Sequence, residues 1–316
     1  MNAPAQVFAS SGNLVADRRY EYARAAALDG DHAAAADLLE QAVELAPRWA
    51  AVWFALGEAR ERLQAREAAA QAFAQAFACD PADPHGAGLR LALLRGGAPA
   101  AMSEAYVRGL FDQYAPRFDA HLVEALAYRG PQIVVAALRK VCEQRSRPFH
   151  FDTVFDLGCG TGLMARALAP HFDAMHGVDL SPGMIAEASK TGLYDSLAAA
   201  EMIGWLQGQE TASADLVVAA DVLVYMGGLA PLFPQAARVL DPSRGLFAFT
   251  AQRHDGEGYA LCADMRFAHA PEYLRMRAQA AGLHVALLED QSTRRDAGRD
   301  VPGLVCVLAL NREAPN

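Results

Sequence analysis

Along the first hundred residues alanine fills 31 positions and glycine is sparse until Gly86. That pattern predicts helices rather than strands, because alanine has the best helix propensity. Gly96-Gly97-Ala98-Pro99 breaks the pattern. It resumes from 102 to about 142, where Tyr106, Leu110, Phe111, Tyr114 and Phe118 form a stripe interrupted by Pro116. From His150 the period changes. Short apolar runs at 153–157, 174–178, 215–219, 245–250, 284–288 and 304–310 alternate with helical stretches, which predicts an α/β domain with a parallel sheet covered by helices on both faces. These shifts set boundaries: a flexible segment over 1–15, helical repeats over 16–98, a helical connector over 99–150 and the α/β domain over 151–316. The aromatic stripe of the connector either packs into a core or closes over a pocket as a lid.

The helical front repeats itself. Pro47 and Pro81 lie 34 residues apart, and the segment between them reads Trp53-x2-Leu56-Gly57, then Ala69-x3-Phe73 and Ala76. The earlier copy keeps Ala35, Leu39, Ala42 and Pro47 but has Arg19, Tyr22 and Ala23 where a large, a medium and a small residue belong. This pattern resembles the tetratricopeptide repeat. The resemblance implies antiparallel helix pairs in which Gly57 and Ala69 permit close approach while Trp53 and Phe73 fill the space between, with a further helix at 89–94 capping the stack. It also implies a groove able to take a protein or peptide partner.

The chemistry concentrates after the first strand of the α/β domain. The run Asp156-Leu157-Gly158-Cys159-Gly160-Thr161-Gly162 precedes a helix expected at about 163–169, and the next strand ends at Asp179. Glycines are needed where the chain turns sharply at a strand end and a ligand approaches the backbone. Asp179, 17 residues beyond Gly162, is placed to accept hydrogen bonds from ribose hydroxyls. A nucleoside-containing cofactor follows. Gly160-x-Gly162-x-x-Ala165 also satisfies the dinucleotide fingerprint, so a nicotinamide-dependent oxidoreductase is the rival reading. Asp156 argues against it, because a carboxylate there repels a pyrophosphate and suits a ligand with a cationic amino-acid end.

Together with Gly177-Val178-Asp179-Leu180-Ser181, the loop resembles that of the class I S-adenosylmethionine-dependent methyltransferases, and the whole chain resembles bacterial members that carry tetratricopeptide repeats. The resemblance implies a doubly wound, seven-stranded Rossmann-like sheet of order 3-2-1-4-5-7-6 with its last strand antiparallel, and S-adenosylmethionine as cofactor. By motif, Gly158, Gly160 and Gly162 would pass under the methionine portion with Asp156. Asp179 would hold the ribose, Leu180 would pack on the adenine, and Glu201-Met202 would stand near the adenine amino group. Asp221 and Tyr225, after the fourth strand, would face the methionine tail and the acceptor. Methyl transfer from a sulfonium chiefly requires positioning. Asp221, Tyr225 and His269 are candidates should a base be used, with His254 of the same residue type nearby. Tyr106, Tyr114, Phe118, Tyr225, Arg266 and His269 are the substrate or lid candidates. Arg266 either grips a substrate carboxylate or is a surface charge on an apolar stem. Cys159 reads as a small buried residue.

Composition narrows the partners. The 37 acidic and 28 basic side chains leave a net charge of −9, which disfavours a nucleic-acid partner. A hydrophobic share of 53% supports sizeable cores, and the apolar runs are too short to span a bilayer. Five cysteines without a CxxC pair or a histidine at zinc spacing suggest neither a disulfide framework nor a metal site, so a cytoplasmic setting is expected. A small-molecule acceptor fits as well as a protein one. A third reading is an adaptor whose methyltransferase-like domain binds cofactor without turnover.

Overall fold

The computed structural model describes residues 10–115, 128–296 and 298–310. The chain divides into two compact units, Met1–Tyr106 and Val107–Asn316.

The first unit contains α1 (Leu14–Leu28), α2 (His32–Leu45), α3 (Ala50–Arg62), α4 (Arg66–Cys79) and α5 (Ala87–Arg95), each packed on the next across a short turn. Asn13 caps α1 and Asp31 caps α2, each accepting backbone N–H groups of the first turn. Gly57 is required by close approach: a Cβ there would lie 2.5 Å from the ring of Phe73, which is fully buried. The ring that meets Phe73 is Phe54, with centroids 5.4 Å apart. Trp53, expected in that space, packs half-buried against the same cluster, and its indole N–H donates to the Pro47 carbonyl at 2.9 Å. Tyr106 also belongs to this unit, its ring against Gly86.

In the second unit, strands β1 (Phe151–Leu157), β2 (Phe172–Asp179), β3 (Ser196–Ala199), β4 (Leu216–Ala219), β5 (Leu246–Arg253), β8 (Leu283–Asp290) and β11 (Gly303–Leu310) form the main sheet. Their order is β3-β2-β1-β4-β5-β11-β8, and β11 runs antiparallel to both neighbours. This is the Rossmann-like methyltransferase order expected from the sequence, with β8 and β11 as its sixth and seventh strands. Between β5 and β8 the chain makes a hairpin of β6 (Tyr259–Leu261) and β7 (Phe267–His269), and β7 pairs with the end of β5. A short pair, β9 (Arg295–Asp296) and β10 (Arg299–Asp300), stands apart from the sheet.

Alternation along the strands explains the two layers of helices. Leu216 and Val218 of β4 join the same cluster as Val134, Leu138 and Val141 of α7 (Gly130–Gln144) and Met164 of α8 (Leu163–Leu168). Val217 and Ala219 point the other way, into a cluster with Leu206 of α10 (Met202–Gln207), Phe233 of α11 (Leu232–Val239) and Leu274 of α12 (Pro271–Ala280). Helix α9 (Pro182–Ser189) follows β2. Strands apolar on both faces are what a sheet covered on both sides demands. Helix α6 (Glu104–Tyr114) comes from the connector, and Pro116 and Phe118 lie outside the described residues. No helix among the described residues is long and apolar enough to cross a membrane.

Candidate functional site

At the carboxyl end of β1 the backbone adopts positive φ at Gly158 (65°), Gly160 (55°) and Gly162 (87°), then enters α8. Two of these glycines have different reasons. A Cβ on Gly158 would collide with Val222 at 2.4 Å, so this position is fixed by packing beneath the loop. A Cβ on Gly160 would meet nothing within 4 Å, so this position faces open space where a ligand can lie against the backbone. Cys159 is buried between them and its N–H holds the Val178 carbonyl at 3.0 Å, with burial pushing its thiol well above the ordinary range.

Two acids flank the loop. Asp156 is 1% exposed and accepts a hydrogen bond from the Tyr194 phenol at 2.7 Å. Its burial pushes the carboxyl up to about 7, against the opposing pull of that phenol. Asp179 accepts from the Gly160 and Ser181 N–H groups, each at 2.9 Å, so it ties the glycine loop to the end of β2 while retaining lone pairs for a further donor. Burial also raises this carboxyl. Leu180 follows, half-buried.

Helix α6 is fastened over the residues after Asp179. The Asp112 carboxylate accepts from the Ser181 hydroxyl and from the Gly183 N–H, and Arg108 donates to the Leu180 carbonyl at 3.2 Å. Ser181 also caps α9 by accepting from Met184 at 3.1 Å. Tyr114, half-buried, ends α6.

Glu201 caps α10, its two oxygens accepting from Ile203 at 2.8 Å and Gly204 at 2.7 Å. Its neighbour Met202 is half-buried against the cluster that includes Phe155 and Leu206. The carboxylate thus has a structural duty next to the end of β3.

After β4 the chain turns at Asp221, whose φ is 58° and whose N–H donates to the Thr250 hydroxyl at 2.8 Å. One oxygen lies 3.2 Å from Arg294 and the other 3.8 Å from Arg266. Arg294 also donates to the Gln252 amide oxygen at 2.9 Å and approaches Asp264 at 3.5 Å. Both guanidiniums are buried, so Arg266 is not a surface charge. Tyr225 is half-buried, its ring edge-on to Phe111 with centroids 5.3 Å apart and 5.9 Å from the Arg266 guanidinium. Burial raises the Tyr128 phenol well above the ordinary value, and the charges of Asp221 and Asp156 add to the shift.

His269 is fully buried, hydrogen-bonded through Nε2 to the Gly227 carbonyl at 3.2 Å and stacked on Tyr273. Burial lowers it to about 4, so the ring is neutral near pH 7. His254 accepts from the Gly256 N–H through Nδ1. At the amino end of the sheet, exposed His150, Asp152 and Asp173 lie within 4.8 Å of one another, but Asp152 is paired with Arg244 and His150 with Asp173.

The structure therefore brings Asp156, the three glycines, Asp179 and Leu180 to one rim, and Asp221, Tyr225 and Arg266 to the next strand ends along it. Tyr194, Tyr128, Arg294 and Asp112 join them without having been singled out in the sequence. None lies in a motif, and their partners are 38 to 73 residues away for Tyr194 (Asp156), Asp112 (Ser181) and Arg294 (Asp221).

Residues 155–247 match a family model described as a methyltransferase domain. Among curated relatives, the human methyltransferase-like protein 27 is 42% identical over 88 residues, covering 28% of this chain and 34% of that protein. The trans-aconitate 2-methyltransferase of Pseudomonas paraeruginosa is 31% identical over 115 residues, covering 36% of this chain and 41% of the relative. The chain thus spans less than half the length of either. Among solved structures, the 1,6-didemethyltoxoflavin-N1-methyltransferase of Burkholderia thailandensis aligns with a TM-score of 0.50 at 17% identity, covering 68% of this chain and 93% of that one. Sheet order, glycine loop and matched segment coincide: the second unit has the Rossmann-like methyltransferase fold, and residues 155–247 within it match the methyltransferase-domain family.

Proposed function

We propose that the chain transfers a methyl group from S-adenosylmethionine to an acceptor held beside Asp221 and Tyr225. The observation that carries this reading is the buried Asp156 carboxyl beside a glycine loop whose central glycine faces open space. A diphosphate set on that loop would meet an acid whose carboxyl, among the described residues, is partnered by the Tyr194 phenol and not by a cation, whereas an ammonium group satisfies the acid. Asp179 would hold the ribose and Leu180 the adenine face. Glu201 and Met202 would border the adenine edge, with Glu201 doing so alongside its capping role.

The cofactor supplies a methyl group already activated on sulfur. The chain is left with binding, orientation and exclusion of water. Phe111 and Tyr225 close the acceptor side with apolar surface, and α6 covers the segment after Asp179. His269, enclosed and bonded to the Gly227 carbonyl, would position the chain beside the site. The first unit, with its repeat spacing and helix pairs, would dock a protein or peptide partner as tetratricopeptide repeats do. Five free thiols suit a reducing cytoplasm.

Calorimetric titration tests the reading. S-adenosylhomocysteine should bind and raise the melting temperature, because a ligand specific to the folded state stabilises it. Binding of NAD(H) with indifference to S-adenosylhomocysteine would establish the oxidoreductase instead. Tight cofactor binding with no tritiated methyl product in any fraction of a cell extract would favour the adaptor.

A further inference from the structure

Parallel pairing sets Asp156 of β1 opposite Gly177 of β2, which in turn stands opposite Leu197 of β3. Side chains alternate along a strand, and Val154 and Met175, two residues earlier on each strand, both lie in the cluster with α7 and α8. Asp156 and position 177 therefore face that same side of the sheet. Tyr194, in the loop between α9 and β3, packs against the same cluster. A Cβ on Gly177 would lie 2.8 Å from Cε1 of the Tyr194 ring and 3.0 Å from Cδ1. The ring thus crosses β2 through the space that a side chain at 177 would fill, and its hydroxyl meets Oδ2 of Asp156 on the next strand at 2.7 Å. The opposite edge of the ring runs beneath the glycine loop, where a Cβ on Gly162 would lie 3.2 Å from Cε2. The segment that carries Tyr194 is fastened to β2: the Asp195 N–H donates to the Met175 carbonyl and the Asp195 carboxylate accepts from the Met175 N–H, both at 2.8 Å.

We infer that Tyr194 is a positioning residue of the cofactor site: its phenol holds Oδ2 of Asp156, Oδ1 takes the ammonium end of S-adenosylmethionine, and position 177 is a glycine so that the ring can reach across β2. The inference rests on the methyltransferase reading and adds a residue to its cofactor site. A phenol suits the task because it donates one hydrogen bond and brings no charge, whereas an arginine or lysine in its place would neutralise the acid and compete with the cationic ligand. The ionisable groups around Asp156 are Asp179 at the end of β2, Cys159 in the loop, Tyr128 and Tyr194 itself. Burial pushes the thiol and both phenols upward, so these three stay neutral. Asp179 and burial both favour the protonated form of Asp156. The Tyr194 hydrogen bond opposes them and favours the carboxylate, which is the form an ammonium group requires.

The test titrates the full chain and its Tyr194→Phe variant in a calorimeter with S-adenosylhomocysteine and with the deamino analogue, which carries hydrogen in place of the ammonium group. The Phe variant keeps the ring in its slot and removes only the donor. It should bind S-adenosylhomocysteine about tenfold more weakly near pH 6, with the gap narrowing toward pH 9 as the acid ionises in both proteins. The deamino analogue should bind the two proteins equally at both pH values. Gly177→Ala, whose Cβ would displace the ring, should reproduce the selective loss, and it covers the case in which the Phe variant fails to fold. The inference is overturned if the Phe variant binds S-adenosylhomocysteine near pH 6 as tightly as the unsubstituted protein does. It is also overturned if both ligands lose affinity equally at every pH, which is what a merely structural role of the ring would produce. Failure of the unsubstituted protein to bind S-adenosylhomocysteine would instead remove the methyltransferase reading itself.

Discussion

Tyr194 donates its phenolic hydrogen to Oδ2 of Asp156 at 2.7 Å, across 38 residues of sequence. The acid is enclosed at the end of β1 with its carboxyl raised to about 7, so in the ligand-free protein it carries its proton through mildly acidic solution.

That shift has a definite sign. The folded value exceeds the ordinary carboxylate value of 3.8, so the contribution of Asp156 to stability is fully present below about pH 4 and is lost as pH rises through 7. Asp156→Asn should flatten this part of the pH–stability curve and melt higher than the unsubstituted protein at pH 8. Cofactor binding runs the opposite way, because an ammonium group requires the ionised acid. S-adenosylhomocysteine affinity should rise by up to about tenfold per pH unit between pH 5 and 7, then level off. The Asn variant should bind weakly without that slope, and an unchanged slope in calorimetry would assign the titration to another group.

Asp179→Ala removes the acceptor of the Gly160 and Ser181 N–H groups and the expected partner of the ribose. Affinity for S-adenosylhomocysteine should fall by more than ~1 kcal/mol, since charged acceptors make the stronger hydrogen bonds. Equal dissociation constants for the two proteins would refute the assignment.

The two loop glycines should respond differently to alanine. Gly158→Ala combines a left-handed backbone with a 2.4 Å clash on Val222 and should lower stability by about 1–2 kcal/mol or more. Gly160→Ala meets no protein atom, so its larger effect should be on ligand affinity, with a smaller change in melting temperature. Parallel thermal melts and titrations separate the two, and the opposite ranking would misplace the ligand.

Asp112→Ala deletes the carboxylate that fastens α6 to Ser181 and Gly183. Amide hydrogen exchange over residues 104–115 should accelerate by roughly tenfold, corresponding to about 1–1.5 kcal/mol of local stability. Unaltered exchange would mean that the Phe111 contact with Tyr225 and the Arg108 bond suffice.

The sheet and the cofactor loop were legible in the sequence because both depend on local pattern. Apolar runs of strand length, three glycines in seven residues and an acid closing the next strand are written contiguously. Arg294 was not legible, since nothing near it in sequence marks it and its significance comes from the register that brings the end of β8 beside Asp221. Arg266 was visible as a residue type, but its burial depends on β7 pairing with β5. The repeat spacing locates the helix pair and the Trp53 and Phe73 side chains of its cluster, while Phe54, whose ring meets Phe73, lies outside the motif and shows its burial only in the packed structure.

Strand β11 lies between β5 and β8, both of which precede it in the chain. During synthesis the two neighbours emerge with bare edges and apolar flanks, and neither can be joined to the other until residues 303–310 have left the ribosome. The late strand acts as a keystone. The nascent domain is then most vulnerable to edge-to-edge association in the interval before that segment arrives.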